Sequence, residues 1–192
     1  MKNNPSKYSS ENIEILEGLE PVRKRPSMYI GGVDNKAVHH LAVEILDNSI
    51  DEVINNYATY IEVYLLSNDT VQITDNGRGI PVDPHPKFRK KSALEIILTT
   101  LHSGGKFNSD NYQTSGGLHG VGASVVNALS DKFVVEVIRE KKLYRQEYSK
   151  GLSKTTLSKI SETNKTNGTK ILFCPDKEIF GENVGFSAQT LF

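Results

Sequence analysis

Four short stretches of this sequence carry residue types that could do chemistry. In His40-Leu-Ala-Val-Glu44-Ile-Leu-Asp-Asn48-Ser-Ile-Asp51-Glu52, a carboxylate stands four residues before a carboxamide. On a helix that spacing stacks His40, Glu44, Asn48 and Asp51/Glu52 along one face. Glu44 could then serve as a general base one turn from a metal-ligating Asn48, or the line could be the solvated side of an ordinary amphipathic helix. Asp75-Asn-Gly77-Arg78-Gly79 follows an apolar strand pattern. Two glycines two apart let the backbone turn tightly and admit a flat ligand, and the Asp75 carboxylate could accept from an exocyclic amine. The plainer alternative is a strand-end turn, for which Asn-Gly is common. Ser115-Gly116-Gly117-Leu118-His119-Gly120-Val121-Gly122 runs into a helix. Unbonded N–H groups at a helix start hold phosphate. Flexibility alone does not call for glycines inside the first helical turns, where each costs about 1 kcal/mol against alanine. Gly-x-x-x-x-Gly-Lys-Ser/Thr does not occur, and the G-x-G-x-x-G spacing fails, so neither a P-loop nor a dinucleotide fingerprint is present. Last, Asn167-Gly168-Thr169 opens a strand, where a threonine by itself is simply a β-former.

Regular elements must position these groups. Val38, Leu41, Ala42, Ile45, Leu46, Ile50, Val53 and Ile54 recur at threes and fours, predicting a helix over 36–56 with that stripe buried. A short helix over 13–19, capped by Ser10, precedes it, and the basic stretch Glu20–Pro26 holds one or two helical turns from Pro21. Ile61, Val63, Leu65 and then Val71 and Ile73 alternate, predicting a hairpin over 61–74. Pro81, Pro84 and Pro86 keep 81–87 extended, and Lys87–Lys91 reads as a solvated loop. Ser92-Ala-Leu-Glu95 is a capping box for a helix ending near 103–105. Residues 103–122, with six glycines, form a long loop of the kind that serves as a lid. A helix over 119–129, a hairpin over 133–148 and strands over 152–160 and 170–173 follow, and 180–192 shows no finished element.

At 192 residues with 37% hydrophobic content the chain suits one domain with its own core. Lys+Arg and Asp+Glu balance at 23 each, which does not mark a dedicated nucleic-acid or anionic-membrane binder. One cysteine, Cys174, excludes an internal disulfide and suits a reducing cytosol. The polar opening lacks the apolar core of a signal peptide, and no apolar run approaches the roughly 20 residues that span a bilayer. A cytoplasmic location without membrane partners is expected.

Taken together, Glu44-x-x-x-Asn48, Asp75-x-Gly-x-Gly79, the glycine-rich lid and Gly168-Thr169 stand in an order that resembles the GHKL ATPases. Longer matches resemble type IIA DNA topoisomerase B subunits: Gly18-Leu-Glu-Pro-Val-Arg-Lys-Arg-Pro-Ser-Met-Tyr-Ile-Gly31, Asp47–Glu52, Asp75–Pro81, Leu101-His-Ser-Gly-Gly-Lys-Phe107 and Ser115–Leu129. They cover the chain from about Tyr8 to Phe173. Val82–Phe88 and Cys174–Phe180 are closer to the topoisomerase IV branch than to the gyrase branch.

The resemblance implies the GHKL fold, an α+β two-layer sandwich in which one mixed, mostly antiparallel sheet carries helices on one face. It implies a flexible arm over 1–12, an ATP-binding domain over 13–192, and ATP with Mg²⁺ as ligands. Glu44 would be the general base, supported by His40, and Asn48 the Mg²⁺ ligand. Asp75 would accept from the adenine amine, with Thr169 assisting, and Arg78, held by Glu52, would lie over the base beside Gly79 and Ile80. Lys106, Tyr112, Gly116, Gly117, Leu118, His119, Gly120, Val121 and Gly122 would form the lid and its phosphate contacts. Tyr8 would reach into a second copy's nucleotide site. Asp75, Arg78, Pro81, Arg139 and Thr169 would line the aminocoumarin pocket.

The implied assembly is an ATP-closed dimer clamp that works with an A subunit on DNA. Ser27, in place of the usual glycine, and Ala123, in place of a frequent valine, depart from the pattern at positions without a catalytic role. The family's transducer lysine and its DNA-cleavage region are not in this sequence, so weak hydrolysis is expected of the chain alone. A histidine kinase would need a phospho-accepting helix upstream of Glu44. A non-catalytic nucleotide sensor would leave Glu44 without a purpose, and a scaffold would leave the lid glycines without one.

Overall fold

The alternation of Ile61, Val63 and Leu65 produces strand β1 (Ile61–Ser67), and Val71 and Ile73 lie on β2 (Thr70–Asp75), paired antiparallel with Ile61 opposite Asp75. The structure is a computed structural model that describes residues 12–67, 69–104 and 121–191. Two short strands follow, β3 (Pro84–His85) and β4 (Phe88–Ser92), forming a hairpin of their own. The last third supplies β5 (Ser130–Arg139), β6 (Lys142–Ser149), β7 (Leu152–Ser153), β8 (Ser158–Glu162) and β9 (Gly168–Pro175). The main sheet runs β1-β2-β9-β5-β6-β7, with β8 also paired to β6. Among the described residues every pairing is antiparallel, where a mixed, mostly antiparallel sheet is expected: hairpins and the return of β9 between β2 and β5 need no parallel crossover.

One sheet face carries Val71, Ile73, Ile171, Phe173, Phe133, Val135 and Val137 into a single core. The helices cover that face. The opposite face carries an ion-pair ladder in which Glu136 meets both Lys170 and Arg145, and Arg145 also meets Glu147. Each helical element has a local cause. The first two are α1 (Glu20–Lys24), with a proline in its first turn, and α2 (Ser27–Ile30), closed by Gly31. The 20-residue α3 (Asn35–Ile54), about 30 Å long, is capped by Asp34, whose carboxylate accepts from Ala37 N at 2.9 Å. α4 (Ala93–Thr99) has Ser92 as its cap, accepting from Glu95 N at 3.0 Å, as the capping box predicts. Glu95 itself pairs with Lys91 rather than reaching back to the cap. α5 (Gly122–Ala128) is tied to α4 by Asn127 Nδ2 donating to Leu98 O at 2.8 Å. Arg23 of α1 donates to Ala128 O and to Asp176, both at 2.7 Å, fixing the end of α5.

Several expectations are corrected. Residues 13–17 form no helix, and Ile13 and Ile15 are exposed. The apolar stripe of α3 is buried through Val38, Leu41, Ala42 and Ile45. Val53 and Ile54 at its end are 38% and 51% exposed, because the buried line continues at helical spacing through Ser49 and Glu52 instead. The helix from Ser92 ends at Thr99, earlier than expected. Lys87–Lys91 is mostly strand rather than loop. The tail forms α6 (Lys177–Phe180) and α7 (Ala188–Leu191), and its Phe186 packs edge-on against His39 and Phe173. Among the described residues, no helix is long and apolar enough to cross a membrane.

Candidate active site

β2 ends on Asp75, opposite Thr169 of β9, so two of the candidate residues meet through strand register alone. The Asp75 carboxylate is buried. Oδ1 accepts from Gly77 N at 2.9 Å, which makes the turn after β2, and Oδ2 accepts from the Ser49 hydroxyl of α3 at 2.9 Å. Burial pushes the Asp75 carboxyl above the usual carboxylate range, and the nearby Glu52 charge adds to that. The bonds from Gly77 N, Ser49 and the Thr169 backbone oppose it without cancelling it. The result is an oriented acceptor whose charge is costly unless a donor comes to it.

The loop beyond is clamped from both sides. Glu52 accepts from Arg78 N at 2.9 Å, from Nε at 3.1 Å and from Nη2 at 2.7 Å. The Arg78 guanidinium lies 3.6 Å above the centre of the Tyr57 ring. Gly79 has φ of +75°, and an added Cβ would sit 2.9 Å from Ile138 O, so both conformation and space require glycine. Arg139 Nη1 donates to Gly79 O at 2.8 Å, and Ile80 N donates to Thr169 Oγ1 at 3.3 Å. Asn76 accepts from Thr59 N at 2.8 Å and Tyr60 N at 3.1 Å, anchoring the segment between α3 and β1.

Glu44 and Asn48 lie on α3 as the spacing predicts. Asn48 Nδ2 donates to Glu44 O at 3.0 Å, and the amide oxygen is the atom of this side chain that a hard cation would take. The Glu44 carboxylate lies against the Cα of Gly122, the first residue of α5, where any Cβ would overlap its Oε2. From Glu44 to Glu52 the helix advances about 12 Å. Along that distance it touches the start of α5, the Asp75 carboxylate and the Arg78 loop.

The structure thus brings together Glu44, Asn48, Asp75, Arg78, Gly79, Ile80, Val121, Gly122, Arg139 and Thr169. His40 is solvent-exposed one turn before Glu44, and Pro81 is exposed at the end of the Asp75 loop. Tyr8, Lys106, Tyr112, Gly116, Gly117, Leu118, His119 and Gly120 lie outside the described residues. Motif spacing does not single out Ser49 or Tyr57. Ser49 stands one residue beyond Asn48 at helical spacing from Ile45, the one signal that could place it on the inner face. Nothing in the sequence puts Tyr57 under Arg78. Asp51 is fully buried on the same helix, with its carbonyl accepting from Asn55 Nδ2 at 2.8 Å.

Residues 33–179 match the family described as histidine kinase-, DNA gyrase B-, and HSP90-like ATPase. The chain is similar to the B subunit of DNA topoisomerase 4 from Bartonella bacilliformis, at 55% identity over 97% of the chain and 27% of that protein. It is also similar to the B subunit of DNA gyrase from Thermotoga maritima, at 53% identity over 92% of the chain and 27% of that protein. Among solved structures it resembles the 43K ATPase domain of Thermus thermophilus gyrase B in complex with an aminocoumarin. The TM-score is 0.78 at 46% identity, over 90% of the chain and 43% of that one. The chain spans about a quarter of the length of the curated relatives it matches.

Proposed function

The chain belongs to the family of histidine kinase-, DNA gyrase B- and HSP90-like ATPases, and on that premise we propose that it is the ATP-binding and hydrolysing domain of the B subunit of a topoisomerase IV. The observation that carries the reading is the buried Asp75 carboxylate, oriented by Ser49 and Gly77 on the same helix and turn that present Glu44, Asn48 and Arg78. Asp75 accepts from the adenine amine, assisted by Thr169. Arg78, stacked on Tyr57 and held by Glu52, flanks the base beside Gly79 and Ile80. Glu44 draws a proton from the attacking water, and a positioned base of this kind contributes roughly 10²–10⁴ in rate. His40, one turn away, supports Glu44 from the solvent side. Val121 and Gly122 bring the start of α5 to Glu44. Lys106, Tyr112, Gly116, Gly117, Leu118, His119 and Gly120 supply lid and phosphate contacts.

The donor set fits Mg²⁺. Asn48 offers one amide oxygen, and among the described residues no three His, Cys, Asp or Glu side chains converge into a metal cage. When bound, the ion neutralises phosphate charge. Asn48 contributes one oxygen ligand, with the remainder left to phosphates and water, a division Mg²⁺ tolerates.

The longer protein is read as a clamp. A second copy closes on ATP binding, with Tyr8 of the arm entering the other copy's site. An A subunit completes the enzyme, and DNA is passed through in the cytoplasm. Val82–Phe88 and Cys174–Phe180 favour topoisomerase IV over gyrase, whose equivalent domain is the second reading given the near-equal identity to the Thermotoga protein. Decatenation against supercoiling by the complete enzyme separates the two. The direct test is calorimetry of this chain with a non-hydrolysable ATP analogue, with and without Mg²⁺. Binding strengthened by Mg²⁺ is expected, and no heat under either condition would overturn the reading. Sedimentation with the same analogue, before and after removal of residues 1–10, tests the arm.

A further inference from the structure

The β3–β4 hairpin is separate from the main sheet and leads into α4, a few residues beyond the Asp75–Pro81 loop. Its turn and second strand read Lys87-Phe88-Arg89-Lys90-Lys91, four cations in five residues of a chain whose charges balance overall. All five are exposed, and the Phe88 side chain is 55% exposed beside the His85 ring at 5.6 Å. Lys91 pairs with Glu95 at 3.3 Å, whereas among the described residues Lys87, Arg89 and Lys90 have no ion-pair partner. No apolar face is buried by β4, so burial does not explain the strand. Fixing like charges side by side is unfavourable by itself and becomes favourable when an anion of matching charge density neutralises them.

We propose that this hairpin is a contact for the phosphate backbone of duplex DNA, with Lys87, Arg89 and Lys90 neutralising phosphates and Phe88 covering the adjoining sugar. The inference rests on the topoisomerase reading above, in which the longer protein acts on DNA. Successive strand side chains point to opposite faces, so same-face cations stand about 6.6 Å apart, close to twice the roughly 3.4 Å of axis per phosphate on a DNA strand, and the exposed basic hairpin is spaced to engage alternate phosphates. A bilayer surface fits less well, because interfacial binding wants a broad apolar face beside the cations and Phe88 is the one large apolar side chain the hairpin exposes.

The test is fluorescence anisotropy of this chain with a labelled short DNA duplex, between about 50 and 200 mM salt. The parent is compared with a variant carrying Lys87→Gln, Arg89→Gln and Lys90→Gln. Three lost phosphate contacts are expected to weaken duplex affinity tenfold or more at the lower salt, and to reduce the slope of log K against log salt by about 2.7. The same samples are titrated with the non-hydrolysable ATP analogue and with anionic phospholipid vesicles. Unchanged analogue binding certifies the fold of the variant, and failure of the parent to bind analogue would sink the nucleotide reading instead. Absent duplex binding by the parent, identical slopes for the two proteins, or a loss confined to vesicles would each overturn the DNA contact.

Discussion

The Ser49 hydroxyl donates to Asp75 Oδ2 at 2.9 Å inside the protein, joining the middle of α3 to the end of β2. Burial holds the Asp75 carboxyl above its ordinary value of 3.8, and the Ser49 bond pulls the other way by favouring the ionised form. A carboxyl raised on folding contributes stability that is present below its unfolded pKa and lost as the pH rises through the folded one. Under the role proposed for Asp75, nucleotide binding has the opposite sign, since an amine donor is best met by the ionised acceptor. Affinity is therefore expected to fall on acidification through the raised pKa, at a higher pH than a free aspartate would give.

Ser49→Ala removes a stabiliser of the ionised form. It should weaken analogue binding at neutral pH by about tenfold, the worth of one hydrogen bond to a charged group. It should also move the acid limb of the affinity profile to higher pH. Calorimetric Kd values across pH check both, and superimposable profiles would remove Ser49 from the site.

Asp75→Asn keeps the shape and loses the charge. The amide oxygen can keep the bond from the Gly77 N–H, and its NH₂ then faces Ser49, whose hydroxyl can turn to accept. Analogue affinity is expected to drop by about a hundredfold or more, because a charged acceptor is lost and an N–H donor stands in its place. Thermal stability should change little or rise, because a carboxylate that is costly to bury has been neutralised. Calorimetry and a melting curve on one preparation decide it, and retained affinity would dismiss Asp75 as the purine anchor.

Much of this site could be read from spacing because it depends on local periods. Glu44 and Asn48 fall on one helix face, Asp75 ends an alternating strand, and Ser92 caps α4 as its capping box indicates. What stayed hidden depends on tertiary contact. Ser49 is an unremarkable mid-helix serine until β2 brings Asp75 to it. Val53 and Ile54 look buried by type, yet the helix turns them outward while Ser49 and Glu52 take the inner line. The β3–β4 hairpin lacks the alternation that announces a strand, since nearly every residue of β4 is exposed. Phe186 sits in a stretch without periodicity, and its place is set by His39 and Phe173, more than a hundred residues and about a dozen residues away respectively.

Arg78→Ala tests the clamp on the Asp75–Pro81 loop. Glu52 would keep the bond from the backbone N of residue 78 but lose both side-chain bonds, remaining buried beside Asp75. A cost of about 1–2 kcal/mol is expected, which for a chain of this size lowers Tm by roughly 2–8 °C. Arg78→Lys restores charge without the planar fork or the stacking on Tyr57, so it should recover part of the loss and not all of it. Equal melting temperatures for parent and alanine variant would show the clamp to be unimportant to folding.

Gly122→Ala separates the role proposed for Glu44 from the fold. Alanine favours a helix over glycine by about 1 kcal/mol, so propensity alone predicts a more stable α5. The new methyl group would overlap Glu44 Oε2, however, and the atom it displaces is the end of a flexible side chain rather than backbone. Glu44 is expected to swing aside at little cost, leaving Tm nearly unchanged and analogue affinity within a few fold. ATP turnover by the full-length protein should fall toward that of Glu44→Ala, a loss of roughly 10²–10⁴ if Glu44 is the base. Turnover near the parent rate in Gly122→Ala, with Glu44→Ala inactive, would mean that the carboxylate works from a position clear of α5. Parent-like turnover in Glu44→Ala itself would strike the base assignment altogether.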